Sequence, residues 1–180
     1  MGLQYVRYDS GVGYMKIIKI GEYTRFEQLK KDVIELQKRL NEKIISLQWR
    51  DPNDIHWLNS NGYHHGPVEH EFVNLIPDLV GTEIDRMFKE LPYKVFRARV
   101  MTIGPHIRYD PHTDPRPRIH IPILSNPLCK FHFFTPDEIE SEYMPADGSI
   151  YWVDVRTRHT FVNDSDYKRI HIVTATDHEY

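Results

Sequence analysis

The chain has 180 residues and a formal net charge of −3 at pH 7, with 27% charged and 40% hydrophobic residues. That length allows one domain with a sizeable core, and no basic run or basic-aromatic stripe gives a nucleic-acid signature. No stretch approaches the ~20 apolar residues of a membrane span, no apolar run follows a basic start as in a signal peptide, and the lone Cys129 excludes an intramolecular disulfide and fits a reducing, cytoplasmic setting.

Residues 1–23 alternate short apolar and polar pieces, and Tyr14-Met15-Lys16-Ile17-Ile18-Lys19-Ile20 reads as an extended strand. Thr24 is placed as an N-cap, with Glu27 completing a capping box. Phe26, Leu29, Val33, Leu36 and Leu40 recur at helical spacing, so an amphipathic helix is expected over about 24–43. Residues 51–67 are rich in Asp, Asn, Gly and Pro and read as a loop. It carries His64 and His65 near Trp57 and Tyr63, either as a lid over a pocket or as a solvated polar loop. A second helical region is expected over about 68–90, kinked or split at Pro77 and Gly81.

From Tyr93 onward the pattern changes to short strands between Pro, Gly, Asp and Asn: about 95–103, 106–109, 118–124, 129–134, 149–154, 158–162 and 169–176. Such a run argues for a sandwich or barrel. Ile170 and Ile172 alternate with Arg169 and His171, as expected of a sheet covered by helices on one face. The jelly roll, or double-stranded β-helix, is the eight-strand, double-sheet solution. The expectation is a mostly β fold with N-terminal helices and a cupin-like jelly-roll core. It is one domain over 1–180, with 1–92 as helical support and 93–180 as the core. Cys129, in Leu128-Cys129-Lys130-Phe131, is expected to be a packed small hydrophobe.

The chemistry concentrates in His112-Thr113-Asp114, His159 and Arg169. A His and a carboxylate two residues apart project from one side of an extended segment. A second His from elsewhere completes a 2-His-1-carboxylate set, which holds one face of Fe(II) and leaves other positions open. Thr160 to Val162 and Ile170 to Val173 suit strands, with turn formers at Asn163 to Asp166 between them. Read as a hairpin centred on Asp164, the segment sets His159 opposite Arg169, with Cβ atoms roughly 4.5–5.5 Å apart. A guanidinium there calls for an anion, and its planar fork suits a carboxylate. A dicarboxylate that chelates the metal at one end and meets Arg169 at the other satisfies both demands: 2-oxoglutarate. Asn163 and Ser165 read as turn-capping residues.

These residues also carry a family resemblance. His112-Thr113-Asp114, Arg118-Ile119-His120-Ile121-Pro122-Ile123, the segment 148–153 and His159…Asn163-x-Ser165…Arg169 occur in order. The stretch from Arg97 to Thr176 resembles the aspartyl/asparaginyl β-hydroxylase family of Fe(II)/2-oxoglutarate oxygenases, which includes small bacterial free-amino-acid hydroxylases such as the proline cis-hydroxylases. The resemblance implies that His112, Asp114 and His159 bind iron and form the catalytic centre. It implies that Arg169 binds the distal carboxylate of 2-oxoglutarate, and that Arg118 and His120 help hold 2-oxoglutarate or substrate, with their division of roles open. Asp114 favours hydroxylation over halogenation, which needs the carboxylate position vacated. The implied reaction uses O₂ to hydroxylate an amino acid, free or in a peptide, of Asp, Asn or Pro type, and releases succinate and CO₂.

Two other classes stand beside this one: a cupin-like metalloenzyme that does not use 2-oxoglutarate, and a non-enzymatic jelly-roll binding module. Arg108, Tyr109, Arg116 and Trp152 are candidates to reach the pocket, whereas His106 and His132 read as structural or exposed. The expected partner is a small amino acid or peptide, with no nucleic acid and no membrane. The sequence does not give the oligomeric state.

Overall fold

In Arg118-Ile119-His120-Ile121-Pro122-Ile123 successive side chains take opposite faces of a strand, so one face is all isoleucine and the other carries Arg118, His120 and Pro122. The fold follows from burying these faces differently. The computed structural model describes residues 16–51 and 67–180. It places this strand, β7 (Arg118–Leu124), in a six-stranded antiparallel sheet. The sheet order is β1 (Ile17–Glu22), β10 (Ser149–Val153), β7, β12 (Arg169–Thr176), β5 (Val95–Ile103) and β2 (Ile44–Ser46). A four-stranded sheet runs β6 (Ile107–Arg108), β11 (His159–Asn163), β8 (Cys129–Phe134) and β9 (Ile139–Tyr143). Two short strands, β3 (Gln48–Trp49) and β4 (Asn74–Leu75), pair with each other.

Two buried clusters define the layers. Ile119, Ile121, Ile123, Ile170, Ile172, Ala98 and Val100 pack with Leu29 and Val33 of helix α1 (Phe26–Leu40) and with Ile84 and Met87 of helix α2 (Glu83–Glu90). This is the outer face of the large sheet. Ile103, Tyr151 and Val153 of the large sheet meet Cys129, Phe131, Phe133 and Phe161 of the small one, so the second cluster lies between the sheets. The architecture is a jelly roll with helices on one face, and its fold class is the one the strand pattern implied. The N-terminal half contributes more than helices, since β1 and β2 form both edges of the large sheet. No helix among the described residues is long and apolar enough to cross a membrane.

The structure corrects several local expectations. Helix α1 begins at Phe26, and Arg25 rather than Thr24 holds the cap position without a side-chain cap. The Arg25 guanidinium goes instead to Glu83 and Glu90, tying the start of α1 to α2. The region 68–90 is α-helical only over α2. Its first part is a 3₁₀ turn at Pro67–Glu71, strand β4 and a 3₁₀ turn at Pro77–Leu79. Long-range pairing claims this backbone: Ile76 donates to the Leu47 carbonyl at 3.0 Å, and the Phe72 carbonyl accepts from Arg97 at 2.8 Å. Strands β2, β3 and β9 had no clear sequence signal. The last of these, Ile-Glu-Ser-Glu-Tyr, is a charged edge strand.

The hairpin expectation is also overturned. β11 pairs with β6 and β8, and β12 pairs with β5 and β7. The turn after Asn163 therefore crosses from one sheet to the other. Fully buried Asn163 builds that corner. Its amide donates to the carbonyls of Ile103, Gly104 and Tyr167, while its oxygen accepts from the Ser165 amide, the Ser165 hydroxyl and Cys129. Asn163 and Ser165 are thus turn-capping residues, and Cys129 is buried among apolar side chains.

Candidate metal centre

His112 and Asp114 lie on the segment before β7, and His159 opens β11. Two backbone hydrogen bonds, each 2.9 Å, join His112 and His159 in both directions, and the Asp114 amide donates to the Val155 carbonyl at 2.9 Å. These bonds bring the three side chains together: a ligand atom from each of His112, Asp114 and His159 lies within 4.8 Å of the others.

The imidazoles are prepared for a metal. His112 Nδ1 lies 2.8 Å from the Asp110 carbonyl, and His159 Nδ1 lies 3.0 Å from the Thr157 carbonyl. A carbonyl oxygen only accepts, so each Nδ1 carries the proton and each Nε2 presents a lone pair. Burial lowers the pKa of His159, with His112 adding to the effect, which favours the neutral, ligating form. Two imidazoles and one carboxylate are the donor set that suits Fe(II) with open positions.

Asp114 is held from behind. Arg118 lies 3.2 Å from its carboxylate and binds Glu69 through both terminal nitrogens, at 3.1 and 2.9 Å. Arg97 reaches the same Glu69 at 2.7 Å, and Arg116 lies 3.7 Å from it. Burial alone would raise the Glu69 carboxyl, but Arg118 and Arg97 outweigh it and hold the carboxyl below its ordinary value. Glu69 is therefore a buried anion that orients the arginine orienting a ligand. No local pattern marked it, because its partners lie 28 and 49 residues away.

Arg169 lies deeper between the sheets. It is 2% exposed, and its guanidinium carbon sits 4.0 Å over the Phe161 ring of the opposite sheet. It lies over Phe161 of the opposite sheet and is not paired with His159 along a hairpin. Phe161 is two residues beyond His159, about 7 Å along the strand at about 3.4 Å per residue. Arg169 Nη2 donates to His171 Nδ1, and His120 Nδ1 lies 3.4 Å from the same nitrogen. Burial and the charge of Arg169 push both histidines well below their usual range, so they are neutral. Burial also pushes the Arg169 guanidinium down, to about 9, still protonated at neutral pH. With His171 Nδ1 accepting, His171 Nε2 carries its proton. That nitrogen and Arg169 Nε are buried donors without acceptors among the described residues. A carboxylate is the group that would satisfy both.

The remaining candidates are placed as follows. Arg108 is exposed and pairs with Asp164, and Tyr109 is partly exposed. Arg116 pairs with Asp177 at 2.9 Å. Trp152 belongs to the helix-facing core and donates to the His178 carbonyl, so it is not in the pocket. His106 pairs with Asp166 and His132 with Ser141, both at the surface. His64, His65, Trp57 and Tyr63 lie outside the described residues.

No protein-family model and no curated protein matches the sequence. Solved structures do. An oxidoreductase of the 2OG-Fe(II) oxygenase family from Burkholderia pseudomallei matches at 12% identity and TM-score 0.50, over 83% of this chain and 78% of that one. A Pseudomonas putida prolyl-4-hydroxylase matches at 11% identity and TM-score 0.49, over 93% and 90%. A cupin domain from Bordetella pertussis matches at 14% identity and TM-score 0.37, over 45% and 80%. The chain spans 26% and 25% of two matching structures of the capsular polysaccharide assembling protein CapF from Staphylococcus aureus. The shared feature is the fold.

Proposed function

We propose that this protein is an Fe(II)- and 2-oxoglutarate-dependent dioxygenase that hydroxylates an amino acid, free or in a peptide, and releases succinate and CO₂. The observation that carries this reading is the pairing of two sites in one interior. His112, Asp114 and His159 converge, and Arg169 sits buried on the same side of the sandwich without a carboxylate partner among the described residues. A buried cation is costly unless an anion joins it. A dicarboxylate that reaches both sites answers that cost.

When bound, iron with 2-oxoglutarate and O₂ supplies the oxidising chemistry. The chain supplies position. The Asp110 and Thr157 carbonyls fix which nitrogen each histidine offers. Arg118, braced by Glu69, orients Asp114. Arg169 and His171 provide donors for the distal carboxylate, while Phe131, Phe133 and Phe161 keep water from the interior.

The test is an anaerobic titration of the Fe(II) protein with 2-oxoglutarate, following the weak visible charge-transfer band of the chelate. The band is expected in wild type and absent in His159→Ala. Arg169→Ala should need roughly tenfold to hundredfold more 2-oxoglutarate, the loss of a charge-assisted contact of about 1.5–3 kcal/mol. Metal binding in wild type without any band would overturn the 2-oxoglutarate assignment.

A further inference from the structure

A second guanidinium lines the interior. Arg99 lies on β5, whose alternate residues Ala98 and Val100 belong to the helix-facing core. Its side chain therefore takes the inner face, as does Ile103. It stands opposite Val173 on β12 and Ser46 on β2. Val173 in turn pairs with His120 of β7, two residues from Arg118, whose guanidinium reaches Asp114, and Arg97, two residues before Arg99 on β5, reaches Glu69.

Every carboxylate in that neighbourhood already has partners. Glu69 accepts from Arg97 and Arg118, and Asp114 pairs with Arg118. None is left for Arg99. Its Nε is buried without a hydrogen-bond partner, and no carboxylate pairs with its guanidinium among the described residues. Burial, with Arg97 and Arg118 adding to it, pushes Arg99 down to about 9. A long, strongly donating side chain held in a partly enclosed, cation-rich site without an acceptor is destabilising by itself. A bound anion removes the penalty.

Arg99 and Arg169 are separate positions on the inner face. Val173, opposite Arg99, is four residues along β12 from Arg169, about 13 Å at about 3.3 Å per residue. The Arg169 guanidinium is committed to His171 and the Phe161 ring, whereas that of Arg99 stands beside neither on the sheet register. We propose that Arg99 is a second carboxylate site and that it binds the substrate: the substrate is an acid, gripped by its carboxylate beside the metal centre. This rests on the reading of the metal centre given above and adds the chemical class of the molecule acted upon. The carboxylate can be the α-carboxylate of a free amino acid or a side-chain carboxylate in a peptide.

Titration calorimetry decides it, run on the protein both as purified and loaded anaerobically with Fe(II) and 2-oxoglutarate. The probes are the free L-amino acids, their α-amides, and aspartate, glutamate and asparagine capped at both ends. At least one acid should bind, and its amide should bind tenfold to hundredfold more weakly. Arg99→Gln should lose the same factor, and Arg99→Lys should recover part of it. The 2-oxoglutarate charge-transfer band should be unchanged in both variants, and the melting temperature of ligand-free Arg99→Gln should be no lower than that of wild type. Binding confined to free amino acids identifies the α-carboxylate, whereas binding of capped aspartate or glutamate but not capped asparagine identifies a side-chain carboxylate. Acids that bind Arg99→Gln as tightly as wild type, amides that bind as tightly as acids, or a panel in which nothing binds would each overturn the Arg99 site. An absent band in wild type removes the oxygenase reading instead, and the carboxylate titration reports on Arg99 either way.

Discussion

At the scale of single residues, the site rests on groups that have no local signature. Glu69 is 1% exposed and is bound by Arg97 and Arg118. Its folded pKa lies below the unfolded value near 4.5. The ion cluster therefore contributes its full stability above the ordinary carboxylate range and loses it as pH falls through the lowered, folded value. Glu69→Gln should cost about 3 kcal/mol at neutral pH, the usual order for breaking a buried pair. The wild-type and variant stabilities, read by urea unfolding from pH 7 downward, should converge in acid. A constant gap at all pH values would contradict the assignment. The clustering of His112, Asp114 and His159 was legible, because the spacing of His112 and Asp114 has a direct geometric meaning. Arg99 and Glu69 were not, because their meaning lies in partners from other strands and turns.

At the scale of elements, period-two alternation was the readable signal. β7 and β8 follow it closely, β5 and β12 follow it on one side of a register shift, and α1 follows the helical period. The misreadings share one cause. Between 68 and 82, apolar residues at helical spacing serve backbone segments that pair with distant strands, and periodicity cannot see such a partner. The Asn163 corner is the same kind of failure, since its turn formers suit a hairpin and a crossing equally well. A third junction is glycine-dependent. Gly148, at φ +96°, enters β10, and an added Cβ would lie 3.1 Å from the Tyr23 carbonyl oxygen and 3.2 Å from Phe26 Cβ. The Gly148 carbonyl also accepts from the Tyr23 amide at 2.8 Å, so α1 and β10 are fixed together there. Gly148→Ala should cost about 1–3 kcal/mol through backbone strain, read as a lowered urea midpoint with metal binding retained.

At the scale of the whole molecule, the two sheets meet at the candidate metal centre. His112 and Asp114 lead into β7 of the large sheet, and His159 belongs to the small one. A bound ion therefore joins both layers, and binding to the folded state alone should stabilise the whole sandwich. Metal at a hundred times its dissociation constant contributes about 2.7 kcal/mol, a rise in melting temperature of roughly 5–10 °C for a chain of this size. Differential scanning calorimetry with and without chelator checks this, and an unchanged melting temperature would show that the ion does not couple the sheets. The reciprocal backbone pair between His112 and His159 has a further consequence. Two of the three ligands are each other's partners in register, and a slip of one residue turns a side chain to the opposite face. A chain folded one step out of register at this point would lose its ligand set at once. An ion held by these three side chains would act as a proofreader of strand alignment: metal retained through purification would certify that this segment found its correct neighbour.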